Sequence, residues 1–257
     1  MRTDKRTSTG RLFLVGRLAA AGLVAATFGL TAALPAQAAA PTSVVRSDRA
    51  TTVDAAKKLV TARIDGRLAV LRANGVAINS AARLSDGHQA ALKAIIEKDI
   101  AGLTELKTKV AGETTLEAIK ADSRSMVEDY RVYMLVQKQV HLAVAADVET
   151  AAVARLRTAY DKLAKAIEAA KAGGKDVGDA EAKLADMKSQ LDKAEAAVSG
   201  VADALLAVQP GPDADAIKAK TQAARGKVHD ARTALKAAIA DAKAIRDVVK
   251  DKAAKSK

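Results

Sequence analysis

The chain has 257 residues and a formal charge of +12 at pH 7, with no Cys, no Trp and an aromatic fraction of 2%. The lack of Cys excludes disulfide staples, thiolate metal sites and a cysteine nucleophile. The core must come from Ala, Leu, Val and Ile, and an Ala/Lys/Asp/Glu-rich chain favours helices over sheets, because Ala gives up no side-chain entropy in a helix.

The amino terminus reads as a secretion signal. Arg2, Lys5, Arg6, Arg11 and Arg17 form a basic segment, an apolar stretch runs from Leu18 to Leu34, and Pro35 is followed by Ala36-Gln37-Ala38. That order predicts cleavage after Ala38. An uncleaved anchor is the alternative, since the stretch is close to the roughly 18-residue limit for spanning a bilayer. Residues 1–38 hold five basic and one acidic side chain, so the formal charge of the remainder falls from +12 to +8. The expected protein is secreted and can be retained at the cell envelope.

Residues 39–51 lack periodicity and read as a flexible lead-in. A first helix is predicted from about Val53 to the region of Ala73, with Val60, Ile64, Leu68 and Leu71 on one face; Asn74-Gly75 can end it, although Ile78 continues the pattern. The second follows Ser85-Asp86-Gly87, presents Leu92, Ile96, Ile100, Leu103, Leu106 and Val110, and stops at Gly112. Thr114-Thr115-Leu116-Glu117 then reads as a capping box.

The third helix can extend from Leu116 to Lys171 without Pro or Gly, with Ser123 and Ser125 as its weakest place. Such a helix would be roughly 80 Å long. Gly173-Gly174 closes it and Asp176 caps the fourth. In the fourth, Val177, Ala180, Leu184, Met187, Leu191, Ala194, Val198, Val201, Leu205 and Val208 alternate steps of three and four. Pro210-Gly211-Pro212 breaks the chain and Asp213 starts the fifth. There Ile217, Thr221, Ala224, Val228, Ala231, Leu235, Ala238, Ala242, Ile245 and Val249 repeat the stepping. A seam of this period marks coiled-coil-like packing.

Short connections force neighbouring helices to run antiparallel. The predicted fold is all-α: elongated antiparallel helical bundles, drawn as two three-helix bundles sharing one long central helix. Residues 52–146 form the N-terminal bundle, residues 147–252 the C-terminal three-helix coiled coil, and residues 253–257 a basic tail.

Signs of catalysis are absent from the sequence. His88, His141 and His229 fall on different helices without a ligand spacing, and read as ordinary surface or boundary histidines. Gly173-Gly174-Lys175 follows a helix instead of a strand and reads as a plain turn, not a phosphate loop. No cofactor, metal site or enzymatic activity is predicted.

One stretch departs from the amphipathic pattern. Asp129-Tyr130-Arg131-Val132-Tyr133-Met134-Leu135-Val136 leads through Gln137-Lys138-Gln139 into Val140-His141-Leu142-Ala143-Val144. It holds two of the three tyrosines and is apolar nearly all round, which suits the buried middle of the shared helix. The β-branched run is also compatible with a short strand. A third reading makes Tyr130, Tyr133, Leu135 and His141 a candidate interaction surface, with the two tyrosines on one face.

The segment Ile100-Ala101-Gly102-Leu103-Thr104-Glu105-Leu106-Lys107, the Asp129-to-Val136 block and the Ile167-to-Val177 hairpin resemble a group of uncharacterised exported helical proteins of high-GC Gram-positive bacteria. The resemblance covers most of the chain after the signal. The group has no assigned activity, so it implies fold and compartment only. The expected function is that of a non-catalytic structural or interaction protein of the cell envelope or extracellular space. The alternative is an electrostatic binder of anionic wall polymer or a membrane surface, through the positive surplus and the tail Lys250-Asp251-Lys252-Ala253-Ala254-Lys255-Ser256-Lys257. The partners in view are therefore an envelope protein or an anionic polymer. Nucleic acid is not expected, for want of base-stacking aromatics.

Overall fold

A computed structural model describes residues 42–254, and side chains from Thr51 to Lys250. The segment read as a secretion signal, with the cleavage expected after Ala38, lies outside the described residues. Among those described there is no strand, and no helix is long and apolar enough to cross a membrane.

The described residues form seven α-helices: α1 (Thr42–Ser80), α2 (Asp86–Gly112), α3 (Leu116–Glu128), α4 (Gln137–Ala172), α5 (Gly178–Val198), α6 (Val201–Leu206) and α7 (Ala214–Ala254). A π-turn, Val132–Val136, joins α3 to α4. Helix α1 begins within the segment read as a flexible lead-in and passes through Asn74-Gly75 without ending. Asn74 is buried there and Ile78 is fully covered, so core contacts on both sides carry the helix across the weak pair.

The caps follow local side-chain chemistry. Ser85 Oγ accepts from His88 N–H at the start of α2, and Asp213 Oδ1 accepts from Ala216 N–H at 2.8 Å before α7. At α3 the hydroxyl half of the expected box is present, with Thr115 Oγ1 accepting from Ala118 N–H. That register puts Ala118 at the third helical position, where a capping box needs the carboxylate; Glu117 stands one place early.

Two expected continuous helices are broken. The column from Leu116 to Lys171 is interrupted at Arg131, whose backbone is left-handed (φ 45°, ψ 34°), and then by the π-turn. The fourth helix ends at Val198 and resumes at Val201, because Gly200 takes φ 66°. Glycine meets little steric penalty in that region, so the chain turns there although the apolar stepping runs through it.

Two cores result. The first joins α1, α2, α3 and the start of α4 with α6 and the early part of α7 (Ala224, Val228), and Ile64, Leu71, Leu92, Leu103 and Ile119 in it are each at most 2% exposed. The second joins α4, α5 and α7 around Met187, Leu191, Ala194, Ala238 and Ile245, all fully buried. The predicted seam positions of α5 to α7 are buried, apart from Leu184, Ala242 and Val249, which are half-buried, and most of them are shared between the two cores and a small cluster of Leu135, Val208 and Ile217. Helix α5 runs antiparallel to α4, because Arg157 meets Asp192 and, further along α4, Lys171 meets Glu181 further back on α5, both at 2.8 Å; Lys183–Asp241 at 3.3 Å joins α5 to α7. Helices α4 and α7 run in the same direction, with α5 reversed against both: Lys138 to Leu142 face Lys218 to Arg225, Arg232 Nε donates to Glu149 Oε1 at 2.8 Å, and Leu156 to Leu163 face Ile239 to Arg246.

Candidate interaction groove

The segment singled out by its composition belongs to the first core, apart from Leu135, which packs in a small cluster with Val208 and Ile217. Val132, Leu135, Val136, Val140 and Ala143 are all buried. Arg131 sits in a backbone region that costs a non-glycine residue on the order of 1–2 kcal/mol. Its guanidinium compensates: Nε donates to Gly211 O at 2.8 Å and Nη2 to Pro212 O at 2.9 Å. Two carbonyls of the loop before α7 are thereby tied to the α3–α4 break.

Gln139 makes a second tie. It is 1% exposed, and its Nε2 donates at 3.0 Å to both Leu205 O and Val208 O, carbonyls at and just beyond the end of α6. Leu135, Val208 and Ile217 close a small apolar cluster beside it. Helix ends carry carbonyls without intrahelical partners, and here the buried Gln139 side chain of α4 donates to two carbonyls at the end of α6. The start of α7 is thus held beside α4, leaving a groove between them.

The groove is a cleft of about 610 Å³. Tyr133, Met134, Lys138, His141 and Leu142 line one wall, and Lys218, Thr221, Gln222 and Arg225 the other. None of the nine lining residues is acidic. Tyr133 is 46% exposed, and the Arg67 guanidinium of α1 lies over its ring, 5.0 Å from the centroid. A cation over an aromatic face is attracted by the ring quadrupole. Burial lowers the Arg67 pKa from its ordinary value, with Tyr133 acting in the opposite direction. Among the described residues, none of Lys138, His141, Lys218 and Arg225 forms an ion pair or side-chain hydrogen bond within the fold.

The structure brings together two of the four predicted surface residues. Tyr133 and His141 both line the groove. Leu135 is 1% exposed and belongs to the core, so it is no part of any surface. Tyr130 does not share a face with Tyr133, because the left-handed Arg131 lies between them and ends the helical spacing. It packs half-buried on α2, where a Cβ at Gly102 would stand 2.5 Å from its hydroxyl. Burial, with the charges of Asp129, Asp99 and Glu105, raises the Tyr130 pKa. A short strand at this place is also excluded, since Val132–Val136 is a π-turn.

Sequence reading missed Arg131, Met134, Lys138 and the α7 wall. The α7 signal was present: Lys218, Gln222 and Arg225 each directly follow a seam position, Ile217, Thr221 and Ala224. It also missed His88, which is no ordinary boundary histidine. Its Nδ1 lies 2.9 Å from Asp147 of α4 and its Nε2 3.1 Å from Asp203 of α6. Burial lowers the His88 pKa, but the two carboxylates outweigh it and the net shift is upward. Ser85 N–H also donates to Asp147 Oδ2 at 2.7 Å, so the start of α2 is fastened to both later helices.

No protein-family profile, curated protein or solved structure matches the chain.

Proposed function

We propose that this protein is a non-catalytic interaction protein, exported to the cell envelope or the extracellular space. The observation that supports the reading is the fixed presentation of Tyr133 and Met134. Both are exposed beside a strained turn that is held by Arg131 and Gln139, so a surface patch sits on a locked support. Aromatic and thioether side chains exposed on a rigid element suit recognition. The open groove between two parallel helices gives a partner access without enclosing a substrate. Export rests on the basic–apolar–Ala-x-Ala order of residues 1–38 and on the resemblance to exported helical proteins.

The test is fractionation of cells that make the chain, followed by amino-terminal sequencing. The protein should appear in envelope or extracellular fractions with residue 39 as its first residue. Retention in the cytoplasm with Met1 intact would contradict the proposal.

A second reading, electrostatic attachment to anionic wall polymer or a membrane surface, is favoured by the unpaired cations of the groove. Long-range attraction of this kind depends on the summed surface charge and is screened by salt.

A further inference from the structure

We propose that the α4–α7 groove is a binding site for a linear, phosphate-bearing envelope polymer, gripped by Lys138, His141, Lys218 and Arg225 beside the exposed ring of Tyr133. This rests on the electrostatic reading above and gives it a place and a ligand chemistry.

Three features of the groove lead to it. First, cationic side chains stand on both walls, no carboxylate lines the cleft, and the four named groups have no partner within the fold among the described residues. Some basic side chains of the same helices pair across the bundle, as Arg157 does with Asp192 and Arg232 with Glu149. Other basic side chains of these helices, Lys165 among them, are unpaired as well; what marks the groove is that Lys138 on one wall and Lys218 and Arg225 on the other converge on one cleft with no carboxylate in its lining.

Second, the donor set suits phosphate. A tetrahedral phosphate accepts hydrogen bonds from several directions, so donors on two walls can reach one group together. A planar carboxylate takes its donors in one plane and is best met by a single guanidinium fork. Gln222 adds an uncharged donor on the α7 wall.

Third, the groove is short. Lys218 and Arg225 lie seven residues apart on one helix, which is about 10 Å along the axis. A docked helix would engage only about two turns, and a stable protein interface buries about 1,000 Å² or more. A flexible polyanion has no such requirement, since each repeat brings its own charge and further repeats can reach other surface lysines. Tyr133, Met134 and Leu142 give the uncharged backbone between phosphates an apolar surface to lie on.

The experiment is calorimetric titration of the full chain with short-chain inorganic polyphosphate at low and at moderate salt. Binding should be measurable at low salt and weaken steeply as salt rises. The double variant Lys138→Gln, Arg225→Gln should bind about tenfold more weakly or worse, as expected when charge-assisted hydrogen bonds worth roughly 1.4 kcal/mol are lost. The control Lys165→Gln, Lys193→Gln removes the same charge from exposed positions outside the groove and should bind like the parent. Circular dichroism of each variant checks that helicity is kept.

Equal weakening by both pairs would assign binding to diffuse charge and overturn the groove. Absence of polyphosphate binding would overturn it too, as would tighter binding of polyglutamate or of anionic phospholipid vesicles. If binding fails while the protein still fractionates with the envelope, the groove assignment falls and the envelope reading stands. A cytoplasmic, uncleaved chain that binds polyphosphate through these residues would do the reverse.

Discussion

Single residues set the pH response of this fold. His88 is held between Asp147 and Asp203, and its pKa is raised in the folded state. A raised histidine stabilises the fold fully below its unfolded value, near 6.5, and the contribution is lost as pH rises through the folded value. His88→Ala should therefore cost about 1 kcal/mol more at pH 6 than at pH 8.5, consistent with charge-assisted bonds that are partly solvent-screened. Urea unfolding at the two pH values measures this, and equal losses would show that the imidazole does not bridge the helices. Asp99 acts in the same direction for a different reason. Its Oδ2 is buried without a hydrogen-bond partner, and burial lifts the carboxyl from 3.8 to about 6. Folding then takes up a proton between those values, so stability falls as pH rises from 3.8 toward 6 and stays reduced above. Asp99→Asn removes the uncompensated charge and should stabilise the protein at pH 7.5 by about 1 kcal/mol, an advantage that shrinks near pH 4. A thermal melt at both pH values would show it; a destabilised variant at pH 7.5 would mean that the carboxylate has a partner.

At the scale of elements, the break between α3 and α4 decides where surface and core lie. Arg131 carries two opposing effects: left-handed backbone strain and two bonds to the loop before α7. Arg131→Ala keeps the strain and loses the bonds, and should destabilise by about 2 kcal/mol. Arg131→Gly loses the same bonds but relieves roughly 1 kcal/mol of strain. Denaturant midpoints should fall in the order parent, Gly variant, Ala variant; a Gly variant below Ala would contradict the strain.

The seams of α5 to α7 were legible in the sequence because aliphatic contacts repeat every three or four residues, and a buried position in one helix requires a buried position in its neighbour. The breaks were not. Gly200 sits between Val198 and Val201, which keep the stepping, so nothing in the apolar pattern marks the turn. Helix α3 ends at Glu128 and the left-handed Arg131 follows, so the buried positions pass from Met126 to Val132 instead of recurring within four. No Gly or Pro announces it, because Arg131 adopts the strained geometry itself and draws its compensation from residues 80 and 81 positions away. The groove was half legible for the same reason: Tyr133 and His141 stand out by type, whereas their α7 counterparts acquire meaning only when α7 is placed beside α4. His88 was illegible, with partners 59 and 115 residues distant.

At the scale of the whole described chain, α4 belongs to both cores: Val140 and Ala146 to the first, Val153 and Ile167 to the second. Small residues such as Ala180, Ala194, Ala231 and Ala238 are fully buried, and side chains this short let neighbouring helices pack closely. The arrangement and the groove depend on the same fact, that α4 and α7 lie side by side and point the same way with α5 reversed against both. The absence of native cysteine allows a direct test by paired substitution and a short bifunctional maleimide. Glu149→Cys with Arg232→Cys should link within one chain, because these side chains meet across the two helices. Glu149→Cys with Asp247→Cys should not, since position 247 lies four turns further along α7. Linking of the second pair in place of the first would reverse α7 against α4 and remove both the bundle and the groove described for it.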